Sequence, residues 1–233
     1  MTATRPSAGG IIARLRSAQS DDELAKVRKR LAPDEPAFGL RMRDLFEIAK
    51  DGSDLPMAEL HRLLDHRAYE PRMAAMCILD FRARRRLDDD ERRELFVTYL
   101  GRHDRITTWD MVDRAAPRVL GGYLAGRSAA PLYELAAAQD PLRRRSAITA
   151  PLGFVRTGSD DDLAEGLAIA ARLADDPDPT VNRPVGIFLK HLSSRDPGTV
   201  VRFLDDHAAA LPRAALRLAV EKLDDDQRGR FLV

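Results

Sequence analysis

The sequence is poor in cysteine, long apolar runs, lysine and aromatic residues, and each scarcity narrows the class of protein. Its single cysteine, Cys77, excludes an internal disulfide and any Cys-x-x-Cys metal site. No uninterrupted apolar run approaches the roughly 18 residues that a transmembrane helix needs. The start of the chain lacks the basic and apolar segments of a secretory signal, so we expect a cytoplasmic protein that binds no membrane.

The charge balance is nearly neutral but has an unusual make-up. The 38 basic and 37 acidic residues give a net charge of +1, which excludes a globally basic nucleic-acid binder but leaves room for a basic face. Only five of the basic residues are lysine, and the other 33 are arginine, whose planar guanidinium fits phosphate with two hydrogen bonds. Codon bias in a GC-rich genome explains the same excess, so composition alone identifies no partner.

The apolar pattern is helical almost throughout. Between residues 45 and 64, leucine and isoleucine recur at steps of three and four, the spacing of one helix face. No run alternates between polar and apolar residues, and valine and isoleucine are sparse, which argues against a sheet. Acidic runs at residues 20–23, 88–91 and 159–162 predict helix starts, because carboxylates cap free N–H groups there.

Prolines and glycines divide the chain into segments of roughly 10–15 residues. This spacing predicts one all-α domain over residues 1–233, a HEAT-like repeat α-solenoid of about a dozen short helices in antiparallel pairs. We expect residues 1–8 to be disordered and the protein to be a monomer. A compact orthogonal helical bundle is the competing fold.

Motifs of metal, nucleotide and acyl-transfer chemistry are missing. The five histidines show no metal-ligand spacing, and there is neither a Gly-rich phosphate loop nor a serine-nucleophile elbow. We therefore expect no metal and no cofactor.

The segment around the only tryptophan carries the first candidate chemistry. Trp109 and Asp113 are four residues apart, so they share a face if the segment is helical. An indole beside a carboxylate can hold a sugar ring and stabilise positive charge on its anomeric carbon, as glycosidic cleavage requires. A core tryptophan beside capping aspartates is the alternative.

Basic residues at another predicted helix start form the second candidate functional segment. The run Arg143-Arg144-Arg145 places three cations where they oppose the helix dipole, a cost that a phosphate or a carboxylate would offset. Internal salt bridges of these arginines with Asp110 or Asp113 are the alternative. Arg41 and Arg43 are typical of a solvated face and are added as candidate DNA contacts.

The order of these features resembles the AlkD-type DNA alkylation repair glycosylases, which are built of HEAT-like repeats. The resemblance runs from about residue 20 to the end of the chain, and its most specific part is Trp-Asp-x-x-Asp followed by Arg-Ser-Ala-Ile. The matching stretches are residues 38–43, 45–50, 69–75, 109–113, 144–148 and 186–190, and Pro212-Arg213 before a last apolar helix.

The resemblance implies hydrolysis of the N-glycosidic bond of cationic alkylpurines in duplex DNA, without base flipping and on a concave basic face. It assigns to Asp113 the stabilisation of the deoxyribosyl cation and the positioning of water, and to Trp109 a contact with the sugar. It assigns DNA-backbone contacts to Arg145, with Arg144 and Lys190 beside it. The cellular context would be base excision repair on nucleoid DNA.

The sequence also departs from the family pattern. Ile187 stands where a second active-site tryptophan is expected, Val27 where an aromatic residue borders the lesion, and Lys190 where an arginine is usual. Aliphatic cleft walls favour bulky adducts over methylpurines, as in relatives that look like self-resistance enzymes of antibiotic producers. A non-catalytic HEAT-like module that binds DNA or protein remains the alternative function.

Overall fold

The computed structural model describes residues 6–232, apart from the side chains of residues 156 and 157. Every regular element in that range is helical, which confirms the predicted all-α, HEAT-like repeat fold. The chain divides into two compact units, unit 1 (Met1–Ala115) and unit 2 (Ala116–Val233). A single domain over residues 1–233 stays a prediction.

Unit 1 consists of short helices, and its longest connection runs over residues 29–41. They are α1 (Ala8–Ser17), α2 (Asp21–Arg28), α3 (Met42–Asp51), α4 (Met57–Leu64), α5 (Tyr69–Ala83), α6 (Asp89–Gly101) and α7 (Trp109–Ala116), with a 3-10 turn at His103–Arg105. Disorder is predicted for residues 1–8, and residues 1–5 of this segment lie outside the described residues. Beyond that point, Ser7 already caps α1 through a hydrogen bond from the Gly10 amide.

Unit 2 continues the same pattern. Its α-helices are α8 (Gly122–Leu124), α9 (Ala130–Ala136), α10 (Pro141–Thr149), α11 (Phe154–Thr157), α12 (Asp160–Arg172), α13 (Pro179–Ser193), α14 (Pro197–His207), α15 (Arg213–Ala219) and α16 (Asp225–Phe231). A π-helical turn at Pro117–Gly121 and a 3-10 turn at Ala150–Gly153 complete the unit.

Helices begin at all three predicted acidic runs, but one of them lacks a side-chain cap. Asp88 with Glu91 and Ser159 with Asp162 form reciprocal capping boxes at the starts of α6 and α12. Ser20 precedes α2 but makes no side-chain capping bond, so the acidic first turn of α2 acts on the helix dipole alone.

Helix α5 is the centre of unit 1. Its residues Tyr69 to Asp80 are buried without interruption, so the helix has no solvent-facing stripe, and α1, α3, α4 and α6 all pack on it. A helix buried on all sides offers a fixed surface to its neighbours. Cys77 lies on this helix, and burial raises the pKa of its thiol to about 12.

In unit 2, α13 packs against α10, α14 and α15. The contact with α15 depends on Gly186, because a Cβ atom there would lie 2.2 Å from the carbonyl oxygen of Ala215. Glycine at this position therefore lets the two helices approach each other, and residues 187 and 190 project from the same helix.

Candidate functional site

Helix α7 presents the predicted tryptophan and aspartate to solvent. Met111, Val112 and Ala115 of this helix are fully buried and form its apolar face. Trp109 is 43% exposed and Asp113 is exposed. The two residues are one turn apart on the helix and point away from the apolar face. The alternative of a core tryptophan is therefore wrong, since a large part of the indole is accessible.

Asp110, the other aspartate of this motif, has a different environment. Its Oδ2 atom accepts a hydrogen bond of 2.7 Å from the Tyr69 hydroxyl, and its Oδ1 atom accepts one of 2.5 Å from the Thr108 hydroxyl. The Nε atom of Arg30 lies 3.3 Å from Oδ2. Both carboxylate oxygens thus have partners within unit 1, which makes Asp110 an anchor of the first turn of α7.

One turn later, Arg114 anchors the same helix. Its Nη2 atom lies 3.0 Å from Oδ2 of Asp80, a fully buried carboxylate on α5. Its guanidinium carbon lies 4.4 Å from the ring centroid of Phe46 and 4.7 Å from that of Phe81. The cation is therefore both paired and covered by aromatic faces.

The two arginines of α10 have partners inside unit 2. Arg144 pairs with Asp176, with its Nε 2.6 Å from Oδ2, and its Nη1 donates to the carbonyl oxygens of Ala138 and Gln139. Arg145 is 6% exposed, and its Nη1 donates a hydrogen bond of 2.5 Å to the carbonyl oxygen of Thr180. An internal salt bridge thus exists for Arg144, but with a carboxylate that the sequence did not indicate. Contacts of either arginine with DNA stay a prediction.

Lys190 and Ile187 lie on α13 and are both half-buried. The Nζ atom of Lys190 lies 2.7 Å from Oε1 of Glu221, and this contact holds the pKa of Glu221 below its usual range. Ile187 leaves part of an aliphatic side chain accessible where the family pattern has an aromatic ring. A contact of Lys190 with DNA phosphate stays a prediction.

The remaining candidates lie in unit 1. Arg41 and Arg43 have side chains that are 76% and 84% exposed, at the start of α3, with Glu23 and Glu47 at 4.0 and 3.1 Å. Val27 is only 3% exposed. It therefore presents almost no surface to a ligand, and its role as a lesion-cleft wall stays a prediction.

Sequence reasoning missed the polar residues of α5. Glu70 is 1% exposed, and its two oxygens accept hydrogen bonds of 2.8 Å from the amides of Phe38 and Gly39. Gly39 has a φ of +80°, and a Cβ there would lie 2.4 Å from the backbone nitrogen of Leu24. Charged residues within a helix that lacks a polar stripe were the signal that could have revealed these anchors.

In residues 6–232, no group of three or more histidine, cysteine or acidic side chains is placed to hold a metal ion. Within the same range, no helix combines the length and apolar character that crossing a membrane requires.

Comparison with known proteins identifies the family. The model of the family described as DNA alkylation repair enzyme matches residues 11–223, which is nearly the whole chain. A search of curated proteins found no match. The matched region includes all of α7 and both of its anchors. The chain therefore belongs to the DNA alkylation repair enzyme family, whose role is in DNA repair.

Proposed function

We propose that the protein is a DNA glycosylase that hydrolyses the N-glycosidic bond of N3- or N7-alkylated, cationic purines in duplex DNA. The observation that carries this proposal is the exposed pair Trp109 and Asp113, which lie one turn apart on the same helix. The non-catalytic alternative would be favoured by an Asp113 that is buried and tied up by an internal arginine. The exposure of Asp113 supports an enzyme instead.

The chemistry follows from the charge of the substrate. An alkylated purine cation leaves with the electron pair of the glycosidic bond and becomes neutral, while positive charge develops on the deoxyribose. The Asp113 carboxylate stabilises that charge and orients a water molecule, whose oxygen bonds to the anomeric carbon as its proton is released. The Trp109 ring contacts the sugar. Since both groups act at the sugar and the cationic base needs no protonation, the base need not be flipped into a pocket.

Binding to DNA is proposed to rest on basic side chains of both units. Arg41 and Arg43 are the exposed candidates of unit 1, and Lys190 is a candidate of unit 2 whose side chain is 27% exposed. We propose that the protein acts as a monomer on nucleoid DNA. Its net charge of +1 means that attraction to DNA comes from the distribution of charge rather than its sum.

Duplex affinity should fall steeply with salt. Phosphate contacts release counterions, so we expect a loss of roughly 10³-fold between about 50 and 200 mM salt if six or more contacts form. Fluorescence anisotropy with a labelled duplex measures it. Replacing Arg41 and Arg43 together by alanine should lower the slope of log affinity against log salt by about two. An affinity independent of salt would contradict phosphate binding.

The substrate should be a bulky adduct rather than a methyl lesion. Ile187 offers aliphatic surface instead of an aromatic ring, and Trp109 is the only tryptophan available to hold the sugar. A bulky adduct brings its own apolar surface, which is stabilised by about 25 cal/mol for each Å² buried. It therefore depends less on aromatic walls, as self-resistance against a DNA-alkylating natural product would require.

The test is base release measured on matched duplexes. One carries an N3- or N7-methylpurine and the other a bulky N3-alkyladenine, and released base and abasic sites are quantified under single-turnover conditions. We expect faster release of the bulky adduct. Faster release of the methyl base would refute the size preference, and no release from either duplex would refute the proposed function.

A further inference from the structure

Helix α7 carries two pairs of residues with the same spacing, and one pair is more exposed than the other. Trp109 and Asp113 face outward, whereas Asp110 and Arg114 are bound to α5. Successive residues of a helix are turned by about 100°, so the two pairs lie on neighbouring faces of the helix. Within each pair the residues are about one turn apart. The contacts of Asp110 and Arg114 with α5 therefore contribute to the rotation of the helix and, with it, to the direction of Trp109 and Asp113.

We propose that Tyr69 is a positioning residue for the reaction and that it acts through its hydrogen bond to Asp110. This inference rests on the proposed function, because it concerns the geometry of Trp109 and Asp113. Tyr69 does not touch the reacting atoms. Its hydroxyl holds the first turn of α7 at the rotation in which the Asp113 carboxylate and the Trp109 ring meet the same sugar.

The surroundings of Tyr69 suit such a role. The side chain is fully buried at the first residue of α5, and its hydroxyl oxygen lies 2.7 Å from Oδ2 of Asp110. Burial and the neighbouring Asp110 raise the pKa of the Tyr69 hydroxyl far above its usual range, so the phenol keeps its proton and donates. Arg30 also contacts Tyr69. Its Nη2 atom lies 3.4 Å from the Tyr69 oxygen, and its guanidinium carbon lies 5.4 Å from the centroid of the Tyr69 ring.

We expect loss of the hydrogen bond between Tyr69 and Asp110 to change the orientation of α7 more than the stability of the fold. The ion pair of Arg114 with Asp80 and the burial of the apolar face of α7 remain when the Tyr69 hydroxyl is removed. What changes is the orientation of the first turn. A shift of about 1 Å at a reacting group lowers the rate by up to roughly 10²-fold, because the near-attack geometry is lost.

Tyr69→Phe tests the proposal, because it removes the hydroxyl and keeps the ring. We expect the single-turnover rate of base release at saturating enzyme to fall by roughly 10-fold or more, with the Kd for duplex DNA unchanged. Trp109 is the only tryptophan, so its emission and its quenching by acrylamide report on the same turn. Both should change in Tyr69→Phe.

The chain offers a matched control in unit 2. The Tyr133 hydroxyl donates a hydrogen bond of 2.6 Å to Oε2 of Glu165, so Tyr133→Phe removes a bond of the same chemistry elsewhere. It should leave both base release and Trp109 emission as in the wild type. Asp110→Asn, which keeps an acceptor for Tyr69, should cost less than Tyr69→Phe, and the double variant should be no slower than Tyr69→Phe alone.

Each outcome decides the proposal. Wild-type release and wild-type quenching of Trp109 in Tyr69→Phe would overturn it, as would additive effects of the two substitutions. If Tyr69→Phe does not fold, the rate and quenching of Asp110→Ala, which removes the acceptor of the Tyr69 hydroxyl, decide, and wild-type values of both overturn the proposal. If the wild-type protein releases no base, the proposed function fails, while the quenching of Trp109 still shows whether Tyr69 sets the position of the helix.

Discussion

Asp113→Asn should lower the rate of base release by roughly 10²-fold or more, the size of a typical electrostatic contribution to transition-state stabilisation. The substitution keeps the shape of the side chain and removes its negative charge. The sugar then develops positive charge without a carboxylate beside it. The rate is measured under single-turnover conditions on the adduct that the wild-type protein releases fastest.

Binding should survive this substitution, because a carboxylate does not attract a polyanion. We expect the Kd for duplex DNA to remain equal or to decrease slightly. Asp161→Asn is a suitable control, since Asp161 is an exposed aspartate on α12 in unit 2. It should release base at the wild-type rate. An Asp113→Asn protein with wild-type release would mean that another group stabilises the sugar cation.

Asp80→Asn should lower the free energy of unfolding by about 3–5 kcal/mol, the usual cost of breaking a buried ion pair by removing one partner. Asp80 is fully buried, and Arg114, with a side chain 17% exposed, would be left without its counter-charge. Arg84 also pairs with Asp80 at 2.6 Å, but its side chain is 41% exposed and water can solvate it, so it adds little. Urea unfolding followed by circular dichroism measures the change.

A surface pair of the same type provides the comparison. Arg85 lies 2.6 Å from Asp54, whose side chain is 77% exposed. Asp54→Asn should cost less than about 1 kcal/mol, because solvent already screens that pair. Equal losses in the two variants would contradict the view that Asp80 acts as a buried anchor of α7.

The candidate pair on α7 was predictable because its signal is local. Trp109 and Asp113 are four residues apart on a helix, and helical periodicity is a property of neighbouring residues. The capping boxes at Asp88 and Ser159 were predictable for the same reason, since the cap and its partner are three residues apart.

The partners of the buried charges could not be predicted. Asp176 follows Arg144 by 32 residues, and Tyr69 precedes Asp110 by 41. Such pairs depend on how helices pack, which periodicity does not encode. The burial of Asp80 was hidden for a related reason. A charged residue usually indicates a surface position, whereas here an arginine from a helix later in the chain neutralises it.

The lone thiol inside α5 makes the stability of unit 1 separately measurable. Only the thiolate reacts with disulfide or maleimide reagents, and Cys77 is buried with a pKa of about 12, so labelling requires that α5 opens first. Unit 2 contains no cysteine, so the labelling rate across a urea series reports on unit 1, whereas circular dichroism reports on every helix. Coincident transitions would mean that both units unfold as one cooperative body, and separated transitions would mean that each carries its own stability.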